Sequence, residues 1–201
     1  MLKRLILNIR GTNGSGKSSI VRSMLDDPQM YVISKFYEGK KKAILTVFPT
    51  YGWVALGTYF NKTGGLDCFP NNELTQKAFW YVLKKYPQYN LVMEGIISST
   101  IFSTYEKLFH EAEEKYPDAR VVVLRLAPPV EECLKRIQNR NGGKPIKEDL
   151  VKAKYRMVER ACCKLKASGI KVIVWNNTQP IPENARKIPP LYKLLTRRWS
   201  E

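Results

Sequence analysis

Histidine and paired cysteines are scarce in this sequence. Among 201 residues there is one histidine, His110, and there are four cysteines, none of which belongs to a CxxC pair. A structural zinc site needs four clustered cysteine or histidine ligands, so this class of site is not expected. The adjacent Cys162 and Cys163 lie in a segment of helical pattern, which favours reduced thiols and a reducing, cytoplasmic location.

Long apolar runs are also missing. A membrane-spanning helix needs about 20 consecutive apolar residues, and no segment approaches that length. The start of the chain, MLKRLILNIR, lacks the small-residue cleavage site of a signal peptide and leads directly into a glycine-rich turn. We therefore interpret it as a first strand and expect no membrane partner.

Acidic residues are few compared with basic ones. The chain has 34 lysines and arginines against 18 acidic residues, a net charge of +16. An enzyme that acts on small phosphorylated metabolites needs only a few cationic side chains at one site. A surplus spread over the whole chain suits a polyanion such as nucleic acid, because each neutralised phosphate releases counterions. The same surplus could also serve solubility alone.

The segments that are present alternate between apolar and amphipathic patterns. Ser103 and Glu106 form a capping-box pattern that opens one helix. Two strands joined at 38–41, with a third near Trp53, form a β-rich insert. The other predicted elements are strands over 2–9, 90–97, 119–127 and 170–175, and helices over 16–27, 72–86, 129–140 and 147–168. This alternation predicts an α/β fold with a parallel sheet covered on both faces.

A glycine-rich turn follows the first predicted strand and matches GxxxxGK[ST]. Glycines allow backbone N–H groups to approach one phosphate closely, so the turn predicts a site for ATP. Lys17 can reach the β- and γ-phosphates, and the Ser18 hydroxyl can bind Mg²⁺. The predicted ATP-binding residues are Gly11, Thr12, Asn13, Gly14, Ser15, Gly16, Lys17, Ser18 and Ser19.

Other features narrow the class of P-loop protein. The guanine-reading NKxD sequence of GTPases is broken in NKTG, where Gly64 replaces the aspartate. With its strand, P-loop and basic segment, the chain resembles the P-loop nucleotide and nucleoside kinases. This resemblance implies one three-layer P-loop NTPase domain of the nucleoside monophosphate kinase type over 1–201. Its parts are a core of 1–29, 70–134 and 161–182, an acceptor-side β-rich insert of 30–69, a basic helical lid of 135–160 and a basic tail of 183–201.

The resemblance also implies roles for residues outside the P-loop. Glu94 ends a core strand and matches the second acidic element that orients Mg²⁺ in such kinases, although the family often has aspartate there. Arg136 and Arg140 lie one helical turn apart in the lid and can stabilise charge on the transferred phosphoryl group. Arg156 and Arg160 are further lid candidates. A solvated basic helix face is the alternative interpretation.

The nucleotide base and the acceptor have their own candidates. The loop WNNTQP often touches the base in this superfamily, and Asn177 is the residue we expect to do so; turn formation would equally explain it. Two glycines precede Asp67, which is the candidate general base for an acceptor hydroxyl. Aromatic residues nearby could stack on a nucleobase or fill the core; they are Tyr51, Trp53, Tyr59 and Phe60.

A finer resemblance rests on GTNGSGKS, LGTYFNKTGGLD and the basic lid. In these features the chain is similar to bacteriophage kinases that phosphorylate 5-hydroxymethyluracil within DNA. This implies transfer from ATP to DNA in the host cytoplasm, with DNA held by the lid, the hairpin lysines and the tail. Those hairpin and tail cations are Lys40, Lys41, Lys42, Lys193, Arg197 and Arg198. A free nucleoside monophosphate kinase, a polynucleotide 5′-hydroxyl kinase and a nucleotide-gated DNA-binding module remain as alternatives, and the sequence sets no oligomeric state.

Overall fold

Seven strands form one sheet in the computed structural model, which describes residues 4–37, 40–60 and 64–178, with backbone only over 35–37 and 40–43. The sheet order is β2-β3-β4-β5-β1-β6-β7. The strands are β1 Arg4–Arg10, β2 Tyr31–Tyr37, β3 Lys40–Phe48, β4 Trp53–Leu56, β5 Asn90–Glu94, β6 Ala119–Leu126 and β7 Lys171–Trp175. From β4 to β7 every neighbouring pair is parallel, so the predicted parallel core is confirmed.

Helices cover the parallel strands. They are α1 Lys17–Arg22, α2 Asn72–Lys85, α3 Ile96–Thr100, α4 Ser103–Lys115, α5 Val130–Arg140 and α6 Glu148–Ala167, with a 3₁₀ helix at Gly65–Cys68. Two separate apolar clusters show that both faces of the sheet are buried. Ile6 packs with the residues of α2, α4 and α6, whereas Leu5 and Leu7 pack with those of α1. This alternation along β1 is the period of two that a strand imposes.

The strands of the β-rich insert extend the main sheet, whose predicted strands were parallel. β2 pairs antiparallel with β3, and β3 pairs antiparallel with β4. The sheet is therefore mixed. Leu45 and Val47 of β3 are fully buried, which explains why this hairpin is packed against the core rather than standing apart.

Two helix beginnings and ends also differ from prediction. Helix α1 ends at Arg22, well before the predicted end, because turns follow in which Asp27 N–H donates to the Met24 carbonyl. The capping box at Ser103 is wrong. The N-cap is Phe102, no side chain caps it, and the Glu106 N–H donates to the Phe102 carbonyl at 2.9 Å. Phe102 already has helical dihedral angles, which moves Ser103 into the first turn.

Among the helices of residues 4–37, 40–60 and 64–178, none is long and apolar enough to cross a membrane.

A buried arginine closes the C-terminal end of α2 and generates a stability prediction. Arg4 is 6% exposed and donates to the carbonyls of Val82, Leu83, Tyr86 and Tyr89 at 2.8–3.0 Å. We expect Arg4→Met to remove these four hydrogen bonds and to lower the free energy of unfolding by about 2–4 kcal/mol, although backbone N–H groups still donate to the Val82 and Tyr86 carbonyls. Urea unfolding measures the change. Lys107→Met, at an exposed cation of α4, is the control and should change it by less than about 0.5 kcal/mol. Equal effects of both would contradict the capping role.

Candidate functional site

An open cleft of about 1530 Å³ lies at the carboxyl ends of the central strands. Parallel α/β sheets bind ligands at this edge, because the loops that follow neighbouring strands converge there. The loop after β1 supplies the P-loop, β5 ends in Glu94, and the segment after β7 carries Asn177. Helix α5 contributes Arg136 and Arg140 to one wall of the cleft, and Arg136 lies close to Gly16 of the P-loop.

The P-loop wraps tightly because two of its glycines adopt positive φ. These are Gly14, with φ of 76°, and Gly16, with φ of 97°. A side chain at Gly14 would collide with the backbone carbonyl of Cys133, so α5 packs directly against the loop. The backbone therefore approaches its neighbours as closely as a phosphate-binding turn requires.

Lys17 is folded over this loop. Its Nζ atom donates to the carbonyls of Gly11 at 2.9 Å and Thr12 at 3.1 Å, and the residue is 7% exposed. Burial lowers the pKa of Lys17, while the nearby carboxylates of Glu94 and Asp67 raise it. The ammonium group therefore lies inside the loop, close to two carboxylates, where an anion would replace the carbonyl contacts.

Ser18 and Glu94 form the second part of the site. The Ser18 hydroxyl donates to Glu94 Oε1 at 2.9 Å, and Glu94 is 1% exposed. Burial raises the pKa of Glu94, and Lys17 and the Ser18 hydrogen bond oppose that rise. A hydroxyl and a carboxylate are oxygen ligands of the kind that Mg²⁺ prefers. The described part of the chain holds no group of three or more His, Cys, Asp or Glu residues suited to a metal, so Mg²⁺ would also need phosphate and water oxygens.

Asp67 lies beside this pair on the 3₁₀ helix. Both of its carboxylate oxygens accept from the Ile96 N–H, at 3.0 and 3.1 Å. Gly65, at the start of the same short helix, has a φ of 61° and packs against the backbone and side chain of Glu94. Asp67 therefore faces the cleft with a fixed orientation and lies near Glu94 without an intervening side chain at Gly65.

The two predicted lid arginines have different surroundings. Arg136 donates through Nε to Glu132 at 2.8 Å and through Nη2 to the carbonyls of Asn177 at 2.8 Å and Thr178 at 3.1 Å. Arg140 is exposed and lines the same wall. Arg156 and Arg160 of α6 are also exposed but are not among the described residues that line the cleft. The structure therefore brings the first pair, and not the second, to the site.

Asn177 holds the loop after β7 against the P-loop. It is 3% exposed, and its Nδ2 donates to the Ser15 carbonyl at 3.0 Å. Its amide is thus turned towards the P-loop, and contact with a nucleotide base stays a prediction. Within the P-loop, Ser15 Oγ and Asn13 Oδ1 are buried and have no hydrogen-bond partner among the described residues.

The four aromatic candidates separate by burial. Trp53 is 2% exposed and Tyr59 is 1% exposed, so of the two interpretations left open by the sequence, core filling holds for both. Tyr51 donates its hydroxyl to Asp26 at 3.0 Å. Phe60 is 56% exposed and lines the cleft.

Sequence reasoning missed three residues at this edge. Ser99 Oγ accepts from the Gly11 N–H at 3.3 Å. Arg10 donates to the Ser99 and Ile101 carbonyls at 3.3 and 2.8 Å. Arg22 also lines the cleft. Of these three, only Arg22 could have been predicted from the sequence, because it lies four residues after Ser18 and therefore on the same face of the helix.

The sequence of this chain is similar to those of several known proteins. A family profile for 5-hmdU DNA kinase matches residues 3–170. A 5-hmdU DNA kinase of Bacillus phage SP10 is 48% identical over 170 residues, 83% of this chain and 26% of that protein, so this chain spans about a quarter of that relative. A 5-hmdU DNA kinase of Pseudomonas phage M6 is 34% identical over 177 residues, 84% of this chain and 90% of that protein. The structure of an Acinetobacter baumannii shikimate kinase in complex with shikimate has a TM-score of 0.45 and 13% identity, covering 98% of this chain and 94% of that chain.

The contact between Gly65 and Glu94 predicts a large effect of a small substitution. In Gly65→Ala the new methyl group would meet the Glu94 carbonyl and lie 2.5 Å from Glu94 Oε1. We expect the free energy of unfolding to fall by about 2–4 kcal/mol, measured by urea unfolding. Gly52 also has positive φ, 67°, but nothing lies within 4 Å of its Cβ position. Gly52→Ala should therefore cost only the backbone strain, about 1 kcal/mol, and an equal loss in both variants would argue against the contact.

Proposed function

This chain belongs to the 5-hmdU DNA kinase family, and from that premise we propose that it transfers the γ-phosphoryl group of ATP to the hydroxymethyl oxygen of 5-hydroxymethyluracil in DNA. The observation that carries the proposal is the convergence of four side chains. Lys17 lies inside a P-loop, Ser18 is bonded to Glu94, and Asp67 faces the same cleft. This set contains the phosphate-binding, metal-binding and proton-accepting groups that phosphoryl transfer needs.

The P-loop is the proposed ATP site. Its backbone N–H groups surround the phosphates, and Lys17 exchanges its bonds to the Gly11 and Thr12 carbonyls for bonds to phosphate oxygens. Ser18 and Glu94 fit Mg²⁺ and would hold it; when bound, the ion neutralises charge on the phosphates. Arg136 and Arg140 face this position from α5 and supply positive charge where it develops on the transferred group.

Asp67 is the proposed general base. The Ile96 N–H fixes its carboxylate but does not use all of its acceptor capacity, since a carboxylate has about four lone-pair sites. In the proposed step the hydroxymethyl oxygen bonds to the γ-phosphorus and the bond from that phosphorus to the β–γ bridging oxygen breaks. The hydroxyl proton passes to Asp67, and ADP leaves with the pair of electrons of the broken bond.

DNA is the proposed macromolecular partner. Residues 135–160 carry nine cations against three acidic residues, and the described loop between α5 and α6 exposes Lys144 and Lys147 close to Arg140. Such a surface suits a phosphate backbone. The hairpin side chains of Lys40, Lys41 and Lys42 and the tail cations Lys193, Arg197 and Arg198 lie outside the described residues and stay predictions. The phage origin of the named relatives supports the host cytoplasm as the place of action.

A comparison of acceptors tests the proposed substrate. We expect labelled phosphate from ATP to enter DNA that contains 5-hydroxymethyluracil, and not unmodified DNA or free mononucleotides. Because backbone contacts are screened by salt, transfer at subsaturating DNA should fall at least about 10-fold between roughly 50 and 200 mM salt. Full activity on a mononucleotide in high salt would favour a nucleoside monophosphate kinase. Labelling of unmodified 5′ ends would favour a polynucleotide kinase, and DNA binding that needs ATP but gives no transfer would favour a binding module.

The general-base role is tested by Asp67→Asn. An asparagine keeps an oxygen that can accept from the Ile96 N–H, but it cannot take the proton, so kcat should fall about 100-fold or more. The KM for ATP should change little. Asp26→Asn is a matched control, because Asp26 lines the same cleft and accepts from the Tyr51 hydroxyl instead. Unchanged turnover of Asp67→Asn would move the base to another residue.

A further inference from the structure

Two exposed apolar side chains belong to segments that line the cleft or contact Asp67. Among the described residues, six large apolar side chains are exposed: Tyr31, Phe60, Ile97, Leu150, Met157 and Val174. Phe60 is 56% exposed and lines the cleft. Ile97 is 63% exposed and does not itself line the cleft, but it directly follows Ile96, which does so and donates its N–H to Asp67. Single exposed apolar residues are ordinary, but an exposed side chain on the helix that holds a proposed catalytic carboxylate needs an explanation.

Ile97 belongs to the short helix α3, which is held in place by several hydrogen bonds. Helix α3 is only five residues long, yet hydrogen bonds hold both of its ends. At its start Asp67 accepts from Ile96, and at its end Arg10 donates to the Ser99 and Ile101 carbonyls. Ser99 also donates to Gly95 and accepts from Gly11. A β-branched side chain has few rotamers, so Ile97 is a stiff apolar projection on a rigid base.

Phe60 is similarly placed at the end of an anchored segment. The preceding Tyr59 is buried, its hydroxyl donates to the Leu56 carbonyl at 3.4 Å, and its own carbonyl accepts from Arg22 at 3.2 Å. The Phe60 ring thus enters the cleft from a fixed backbone. An aromatic ring offers a flat face on which any base can stack.

A base inside duplex DNA cannot reach Asp67 without leaving the stack. Enzymes that act on a base extrude it into a pocket, which costs more free energy for a paired base than for an unpaired one. Proteins that open base steps insert stiff apolar side chains between them. Lys144, which is exposed and lines the cleft, complements the phosphates next to such a base.

Resting on the proposed function, we propose that Ile97 and Phe60 handle the acceptor base together. Ile97 enters the base stack at the place that the extruded base leaves, and the Phe60 ring packs against that base beside Asp67. Ile97 is therefore a positioning residue that matters only when a stack must be opened. Phe60 contacts the substrate in single-stranded and duplex DNA alike.

The test compares acceptors that differ only in the free energy needed to move the target base out of the stack. Single-turnover phosphate transfer is measured on one oligonucleotide with a single 5-hydroxymethyluracil, as a single strand, paired with adenine, and opposite an abasic site. We expect Ile97→Ala to slow transfer about 10-fold or more on the paired duplex. The same variant should stay within about 2-fold of the unaltered chain on the other two acceptors. Phe60→Ala should slow transfer on all three, and Phe60→Tyr should restore it.

A second readout does not need transfer. The fluorescence of 2-aminopurine beside the target base rises when that base leaves the stack, and we expect this rise to be lost in Ile97→Ala. Val174→Ala is the matched control, because Val174 is 56% exposed on β7, whereas Ile97 lies on the short helix whose first N–H is bonded to Asp67. It should match the unaltered chain in both measurements.

Several outcomes would overturn the inference. These are an Ile97→Ala defect of equal size on single strand and duplex, no defect at all, or a normal 2-aminopurine signal. An unaffected Phe60→Ala would remove the stacking role. An unaltered chain that raises the 2-aminopurine signal but transfers no phosphate would contradict the proposed function and support the inference.

Discussion

Two buried charges, Lys17 at the start of α1 and Glu94 at the end of β5, determine how the rest of this site is built. Lys17 is 7% exposed and Glu94 is 1% exposed. Burial lowers the pKa of Lys17 and raises the pKa of Glu94, and each group opposes the shift of the other. A buried charge is tolerated only when its partners are fixed in place. The fold therefore has to hold both strand ends rigidly, which a parallel sheet with β1 between β5 and β6 does.

Short elements around the strand ends supply that rigidity. The 3₁₀ helix fits beneath Glu94 because residue 65 is glycine, and its Asp67 ties it to the start of α3. Arg10 is almost fully buried, and burial lowers its pKa to about 10. Its guanidinium bonds to the end of α3, so that α3 links the P-loop strand to the acceptor side. Asn177 braces the P-loop from β7 in the same manner. One set of hydrogen bonds thus fixes the groups proposed to bind phosphate, metal and acceptor.

The sequence predicted what depends on local spacing. The P-loop could be predicted because its glycines and lysine are close together in the chain. Glu94 could be predicted because it ends an apolar strand. The parallel strands followed from the alternation of patterns. Asp67 faces the cleft as expected, although its role as a base stays a prediction. The acidic residue and the P-loop meet because both follow strands of one sheet.

Features set by tertiary packing could not be predicted. Trp53 and Tyr59 have the same residue types as a stacking surface, and only packing shows that they fill the core while Phe60 does not. Nothing local signals that the hairpin extends the main sheet, that Phe102 rather than Ser103 caps α4, or that the Asn177 amide turns to Ser15. We propose that the loop around Lys17 binds the phosphates of ATP with Mg²⁺. Calorimetric titration of ATP into the whole chain, with and without magnesium, tests this proposal. We expect one saturable site whose affinity rises with magnesium and is lost in Lys17→Ala, and an absence of magnesium-dependent ATP binding would contradict it.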